Sequence, residues 1–122
     1  MPVPVRLTIW LLTLAAAILL PALARAHAIL EESDPPAGAS VKPGPVDLRF
    51  RYNSRIDQGR SRLILLRPDH THSTIAIVPG GPPDTLASHV ELAPGAYTIR
   101  WQVLAVDGHV TRGDVPLTVT AP

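Results

Sequence analysis

The chain has 122 residues, a formal net charge of +1, 14 prolines, eight glycines and no cysteine. The absence of cysteine excludes disulfide staples, cysteine-ligated zinc and a thiol nucleophile. A net charge near zero, with Lys42 as the one lysine, also argues against a nucleic-acid binder of the polyelectrolyte type, which needs many cations to neutralise phosphates. What remains is one small domain.

Residues 1–26 have the pattern of a secretory signal peptide. An apolar run from Leu7 to Leu20 is followed by Ala24-Arg25-Ala26, which is typical of a cleavage site. The run has 14 residues, fewer than the roughly 20 that a membrane-spanning helix needs, so an uncleaved anchor is the weaker alternative. Cleavage after Ala26 predicts export to the periplasm and a soluble mature chain, residues 27–122. That chain loses two of 11 basic residues and none of ten acidic ones.

Apolar and polar residues alternate along three segments of the mature chain. These are 46–52, 97–103 and 115–119, and period-two spacing places each apolar set on one face of a strand. Shorter runs at 28–32, 62–67, 74–78 and 86–92 predict four more strands between Pro- and Gly-rich turns. We therefore predict an all-β fold, a Greek-key immunoglobulin-like β-sandwich of about seven strands. Pro116 predicts that the last strand lies at an edge or carries a bulge.

The predicted cleavage makes His27 the first residue of the mature chain. An N-terminal histidine offers an α-amine and an imidazole Nδ1, which can close a chelate ring on one metal ion. Two nitrogen donors held in this way suit tetragonal Cu(II). The alternative is that cleavage exposes a histidine by chance.

Asp107-Gly108-His109 is the second candidate. In a strand, residues i and i+2 share a face, so Asp107 and His109 could reach one ion and complete a nitrogen and oxygen donor set with His27. The competing interpretation is a hairpin turn, since Asp-Gly between alternating runs is a common turn signal.

Three further histidines are weaker candidates. His70 and His72 follow Pro68-Asp69, which favours an exposed turn over a preorganised metal site. His89 lies in a predicted strand and is interpreted as a surface residue. The sequence contains no nucleophile-elbow, phosphate-loop or zinc-protease motif, so no catalytic residue is predicted.

Together these segments resemble the CopC family of periplasmic copper-binding proteins. Three stretches carry the resemblance: His27–Ala39 resembles H-A-x-L-x-x-S-x-P-x-x-G-x, Leu92–Trp101 resembles L-x-P-G-x-Y-x-V-x-W, and Asp107–Gly113 resembles D-x-H-x-x-x-G. The resemblance implies a domain over residues 27–122 that binds one Cu(II) through His27, Asp107 and His109. It further implies a role in copper resistance or homeostasis, with an inner-membrane copper transporter or another copper-accepting protein as partner.

The chain departs from the family pattern in two places. Some members hold Cu(I) in a methionine-rich loop, but the corresponding region here, Leu66–Ile77, has no methionine, and the one methionine of the chain is Met1. This favours a Cu(II)-only protein and leaves open a weak second site that includes His72. The family often has an acidic residue after the strand at 46–52, where this chain has Tyr52-Asn53-Ser54.

Two alternatives of other classes stay open. A copper monooxygenase with an N-terminal histidine would need an open coordination position and a substrate surface with exposed aromatics. Here the mature aromatic residues are predicted to face inward: Phe50, Tyr52, Tyr97 and Trp101. A metal-free secreted immunoglobulin-like interaction module would need no specific copper uptake and no cleavage before His27. The expectation is a protein that is not an enzyme.

Overall fold

A computed structural model describes residues 27–122, so the predicted signal peptide lies outside the described residues. Those residues form eight strands: β1 Leu30–Asp34, β2 Ala39–Val41, β3 Gly44–Tyr52, β4 Ile56–Leu66, β5 His72–Ile75, β6 Thr85–Leu92, β7 Gly95–Ala105 and β8 Val110–Val119. Over this range the chain forms no helix long and apolar enough to cross a membrane.

The strands form two sheets. One has three strands in the order β1-β3-β6, and the other has five in the order β2-β8-β7-β4-β5. All pairs are antiparallel except β2 with β8, which is parallel. The predicted all-β sandwich is therefore confirmed.

The core lies between the two sheets and follows from the alternation in the sequence. Along β3 the inward residues are at most 7% exposed, whereas their neighbours on the other face are mostly open to solvent. The same pattern in β7 and β8 supplies the opposite wall, with Leu63 and Leu65 of β4. Each fully buried aliphatic or aromatic side chain contributes about 1.5–3 kcal/mol to the burial term of folding. The four predicted inward aromatics are all buried: Phe50, Tyr52, Tyr97 and Trp101.

Trp101 sets a close contact between β7 and β8. Its indole lies over Gly113, its partner in the β7–β8 register, and a Cβ on that glycine would overlap the ring. Tyr52 meets the indole edge to face, with ring centroids 5.3 Å apart. Burial raises the pKa of the Tyr52 hydroxyl well above its ordinary value. The two aromatic rings therefore connect the end of β3 to the five-stranded sheet.

The structure departs from the predicted strands mainly at β2. This three-residue strand has no alternating pattern to indicate it, and it joins β8 in parallel from Leu117 onward. Because β2 forms the edge, the prediction that β8 is an edge strand is wrong, and β8 pairs with β7 without a bulge. Pro116 is tolerated because it lies one residue before the β2 pairing begins, where its carbonyl accepts a hydrogen bond from the Gly38 N–H.

Strand directions bring three segments to one end of the sandwich. β4 begins and β7 ends at this end, where Ile56 pairs with Ala105, and β3 ends beside β1, where Tyr52 pairs with Leu30. The N-terminal arm (residues 27–29), the β3–β4 loop (residues 53–55) and the β7–β8 turn (residues 106–109) therefore meet there. The candidate ligands lie on two of these three segments.

Candidate metal centre

The N-terminal arm is fixed to the sandwich by its backbone. Ala28 is buried, and its carbonyl oxygen accepts a 2.7 Å hydrogen bond from the Thr111 hydroxyl of β8. The next residue, Ile29, donates its N–H to Asn53 Oδ1 at 2.8 Å and accepts from the Asn53 N–H at 2.9 Å. Three hydrogen bonds on two consecutive residues restrict where His27 can lie, so its imidazole is directed toward the β7–β8 turn.

The β7–β8 turn is a tight hairpin connection. The Gly108 N–H donates to the Ala105 carbonyl at 3.0 Å, and the Ala105 N–H donates to the His109 carbonyl at 2.9 Å. Gly108 has φ of 87°, a left-handed conformation that glycine adopts without steric cost. The Asp107-Gly108-His109 triplet is therefore a turn, and this turn brings the side chains of Asp107 and His109 together.

Asp107 and His109 do not share a strand face, so that part of the prediction is wrong. Neither residue lies in a strand, since β7 ends at Ala105 and β8 begins at Val110. They converge because the Asp107 carboxylate folds back onto its own turn. Its Oδ1 accepts the His109 N–H at 3.0 Å, and its Oδ2 lies 2.8 Å from His109 Nδ1. The turn therefore fixes the carboxylate and the imidazole relative to each other.

The hydrogen bonds of the turn also set the ionisation of Asp107. The backbone N–H of His109 is the main cause that lowers the pKa of this carboxyl below its ordinary value, and the imidazoles of His109 and His27 act in the same direction. A carboxylate that stays ionised can bind a cation without first losing a proton. With Nδ1 of His109 turned toward Asp107, the Nε2 of the same ring is the nitrogen left to face an ion, and the carboxylate can either ligate or orient the ring.

Three predicted ligand residues come together at this end of the sandwich. One donor atom each from His27, Asp107 and His109 lie within 4.8 Å of one another. The two imidazoles meet edge to face with centroids 4.6 Å apart. Donors that share a first-row ion at about 2 Å lie at most about 4 Å apart, so a small closure of the side chains would let them share one. The His109 side chain is 59% exposed, which leaves the cluster open to solvent.

The other histidines do not join this cluster. His70 and His72 lie in the β4–β5 turn and at the start of β5, which follow Leu66 where it pairs with Thr98. Thr98 and Ala105 are separated by about 23 Å along β7, given the rise of a strand. Among the described residues, no group of three or more donors includes either of them. His89 is a surface residue as predicted, and its Nδ1 contacts Asp47 on the outer face of the three-stranded sheet.

Two residues that hold the N-terminal arm were not identified from the sequence as doing so: Asn53 and Thr111. Asn53 lies in the region where the resembled family often has an acidic residue, and its side chain holds the backbone of Ile29. No motif indicates such a contact, because any short polar side chain after a strand could make it. Thr111 falls within the Asp107–Gly113 stretch, but its partner is 83 residues away in sequence and is visible only in the fold.

Comparison with known protein families gives a match over most of the described residues. The model of the CopC domain matches residues 30–120. Copper resistance protein C of Pseudomonas syringae pv. tomato is 30% identical over 113 residues, covering 86% of this chain and 90% of its own. Protein YobA of Escherichia coli K12 is 30% identical over 98 residues, covering 77% of this chain and 79% of its own.

Solved structures give the same fold. CopC from Methylosinus trichosporium OB3b superposes with a TM-score of 0.68 at 24% identity, covering 77% of this chain and 94% of the other. PcoC of Escherichia coli, described as a methionine-rich copper resistance protein, superposes with a TM-score of 0.62 at 24% identity, covering 78% of this chain and 100% of its own. At this level of identity the likeness concerns the β-sandwich.

Proposed function

The chain belongs to the CopC family, and from that premise we propose that it is a periplasmic carrier of a single Cu(II) ion. The ion is held by the α-amine and imidazole of His27, the carboxylate of Asp107 and the imidazole of His109. The carrier sequesters copper or delivers it to an inner-membrane copper transporter or another copper-accepting protein. It interacts with no nucleic acid and performs no catalysis.

The convergence of His27, Asp107 and His109 within 4.8 Å is the observation that carries this proposal. His27 lies 80 positions before Asp107 and 82 before His109, yet together these residues supply two imidazoles and a carboxylate to one small volume. Nitrogen and oxygen donors suit Cu(II), whereas Cu(I) prefers thiolates and thioethers. The chain has no cysteine, and its one methionine lies in the predicted leader. The donor chemistry therefore favours the oxidised ion.

Removal of the leader peptide creates the fourth donor, which is the α-amine of His27. Removal of residues 1–26 converts the backbone nitrogen of His27 from an amide, which is a poor ligand, into an amine. An amine and Nδ1 of the same residue bind one ion as a chelate, at the cost of ordering one residue only. The hydrogen bonds on Ala28 and Ile29 hold that residue beside the turn before the metal arrives, which reduces the ordering cost further.

The open side of the cluster allows the Cu(II) ion both to enter and to leave. Two ligands come from a rigid hairpin and two from the first residue of a short arm, so one side of the ion stays accessible. A competing ligand can enter on that side and replace the donors one at a time, which avoids the release of a bare ion. The aromatic surface expected of a glycan-binding monooxygenase is missing from residues 27–122, where every Phe, Tyr and Trp side chain is buried.

A copper titration of the mature protein tests the proposal. We expect Asp107→Ala and His109→Ala to weaken Cu(II) binding by at least about tenfold each, since each deletes one donor. His89→Ala and His70→Ala serve as matched controls, because they remove exposed histidines outside the cluster. Affinity is measured by competition with a chelator, and the d–d absorption band reports the ligand set. Equal affinity in the ligand and control variants would contradict the proposal.

A further inference from the structure

The two sheets of the sandwich carry opposite charge. The strands of the five-stranded sheet contain four arginines and two aspartates, whereas those of the three-stranded sheet contain two arginines and five acidic residues. Each of these charged residues lies outside the buried core. An acidic molecule is therefore attracted to the outer face of the five-stranded sheet and repelled from the outer face of the other.

The loops do not reverse this difference in charge. Those that border the five-stranded sheet hold three basic and two acidic residues: Lys42, Arg55, Arg67, Asp69 and Asp107. The α-amine of His27 in the proposed mature chain adds a positive charge beside Asp107. The remaining charged residue of the described chain is Asp84, which directly precedes β6 of the three-stranded sheet.

Two arginines of the five-stranded sheet have no carboxylate partner. The other two form ion pairs, which are Arg100 with Asp114 at 2.9 Å and Arg60 with Asp57 at 3.8 Å. Within residues 27–122, neither Arg62 nor Arg112 forms a salt bridge. The net positive charge of this sheet therefore resides on Arg62 and Arg112.

Arg62 and Arg112 lie in one row across the sheet, with Gln102 between them. Arg62 pairs in register with Gln102, and Gln102 pairs with Arg112. Neighbouring strands are about 4.8 Å apart, so the backbones of the two arginines are about 10 Å apart. Gln102 accepts a 2.8 Å hydrogen bond from the Arg112 Nε–H, which orients the guanidinium and leaves its terminal N–H groups for a partner. We call these three residues the arginine row.

The arginine row lies close to the candidate metal centre. Arg112 follows His109 by three residues, which is about 10 Å of strand. In the next outward-facing pair of the β7–β8 register, Leu104 opposes Val110, and Val110 adjoins the β7–β8 turn. A partner that covers the row therefore reaches the turn that holds two of the proposed ligands.

The chemistry of this face favours a protein surface over a lipid one. Sites for anionic lipids contain about four to eight lysines or arginines, which is at least twice the number left unpaired here. Ile64, which follows Arg62 on the same face of β4, is half buried, and no exposed large aliphatic residue of 27–122 lies between the two arginines. The guanidinium fork instead fits carboxylates, which arginine binds through two parallel hydrogen bonds.

We propose that the arginine row is the docking surface for an acidic region of the protein that receives copper. The identity of this partner as the copper acceptor rests on the proposed function. Carboxylates of the partner bind Arg62 and Arg112, and the acidic three-stranded sheet is repelled, so the partner meets the carrier in one orientation. Two exposed arginines give a contact that is transient and sensitive to salt.

Titration of the apoprotein with an acidic peptide tests the docking. The full gene is expressed with its own leader, and the ¹⁵N-labelled secreted protein is titrated with an acetylated oligo-glutamate peptide. We expect chemical-shift changes at the Nε–H groups of Arg62 and Arg112 and at the backbone of β4, β7 and β8 around them. Affinity should fall by at least about tenfold when ionic strength rises from about 0.02 to about 0.2 M, since exposed charges are screened. An oligo-glutamine peptide of the same length should not bind.

Matched arginine variants separate the row from the net charge of the protein. The double variant Arg62→Gln with Arg112→Gln removes both unpaired guanidiniums and should weaken peptide binding by about tenfold. Arg49→Gln with Arg51→Gln is the control, because it removes the same charge from the three-stranded sheet. The control should bind the peptide like the wild type. Thermal unfolding verifies that both double variants are folded, and the chemical-shift map of the wild type tests the docking without any variant.

Transfer of copper to a charged chelator connects the row with delivery. Two peptides begin with the Cu(II)-chelating sequence Gly-Gly-His and end with a run of either glutamates or glutamines. At low ionic strength we expect the loaded wild type to transfer Cu(II) about tenfold faster to the glutamate peptide, and the Arg62→Gln, Arg112→Gln variant to transfer it equally fast to both. The ion stays Cu(II): its bonds to the protein break as bonds to peptide nitrogens form, and the protons released by those nitrogens pass to the freed protein donors and the buffer.

Two other occupants are tested on the same protein. A second copy offers its acidic three-stranded sheet, but unlike faces that stack head to tail form open chains. Concentration-dependent association of the apoprotein that the Arg62→Gln, Arg112→Gln variant abolishes would assign the row to a second copy and overturn the inference. Arginine-dependent binding to phosphatidylglycerol vesicles at about 0.15 M salt would assign the row to a membrane and overturn it as well.

The outcomes distinguish this inference from the proposed function. If the mature protein retains no Cu(II), the proposed function fails, whereas docking is still measured on the apoprotein. Equal losses of peptide binding in the two double variants, or chemical-shift changes confined to another surface, overturn the docking inference. Equal transfer rates from the wild type to both chelators show that the row does not dock the copper acceptor.

Discussion

The hydroxyl of Thr111 donates a 2.7 Å hydrogen bond to the carbonyl oxygen of Ala28, and this bond ties the N-terminal arm to the strand that follows the β7–β8 turn. Ala28 is 1% exposed, so water cannot readily replace the hydroxyl. One proposed ligand lies immediately before Ala28 and another two residues before Thr111. The bond therefore fixes the distance between the two halves of the candidate metal centre.

Thr111→Val removes this bond and keeps the shape of the side chain. We expect the free energy of unfolding to fall by about 1 kcal/mol, because a buried carbonyl loses its partner. Copper affinity should fall by about tenfold, since the freed arm must be ordered when the ion binds. Thr111→Ser keeps the hydroxyl and should restore both values. Thermal unfolding and chelator competition measure the two effects, and wild-type affinity in the valine variant would contradict the anchor.

Asn53 is the second residue that anchors the N-terminal arm, and its side-chain amide bonds to a backbone group, the N–H of Ile29. Asn53→Ala deletes the acceptor for the Ile29 N–H, whereas Asn53→Asp keeps an acceptor in the same position. We expect weaker copper binding and a changed d–d band in the alanine variant, and near wild-type behaviour in the aspartate variant. Equal losses in both variants would show that the Ile29 bond does not position His27.

A substitution at Gly113 tests the packing of β8 against the indole of Trp101. In Gly113→Ala the new methyl group overlaps the indole of Trp101, so we expect a destabilisation of about 1–3 kcal/mol and altered tryptophan fluorescence. Trp101 is the one tryptophan outside the predicted leader, which makes its emission specific to this contact. Gly59→Ala is the control, because its Cβ would meet Asp57 at an ordinary 3.6 Å. Equal stability of the two variants would contradict the close approach of β8 to the indole.

The ion pair between Arg100 and Asp114 should give the free energy of unfolding a small dependence on pH. The guanidinium donates to the carboxylate at 2.9 and 3.1 Å and lowers the pKa of Asp114. A depressed pKa in the folded state means that the pair stabilises the protein above the ordinary value of 3.8 and ceases to do so as the pH falls through the folded value. Both side chains are nearly half exposed, so solvent screening keeps the contribution of the pair to stability small.

Asp114→Asn should therefore lose less stability than the wild type when the pH falls from about 5 to about 2. Urea unfolding at several pH values measures the difference. High salt should reduce the difference, because exposed charges are screened. An identical acid-side slope in both proteins would show that the pair makes no contribution in solution.

The sandwich was predictable because its long strands alternate. Val46, Leu48 and Phe50 indicate the buried face of β3, and the same rule finds β7 and β8. β2 was missed because three residues cannot show a period, and its position depends on a parallel pairing with β8 that no local pattern encodes. Asp107 and His109 were predicted as a pair for the wrong reason, since a turn and not a strand joins them. Asn53 was missed because its partner is a backbone group.

Lengthening the mature chain by one residue before His27 tests whether the amine of His27 binds Cu(II) together with Asp107 and His109. The added residue turns the amine into an amide and displaces the new amine from the turn. A control with the same residue added after Pro122 keeps the first residue intact. We predict that Cu(II) affinity falls at least about a hundredfold in the first variant and is unchanged in the control. Wild-type affinity in the N-terminally extended protein would show that the amine of His27 is not a copper ligand.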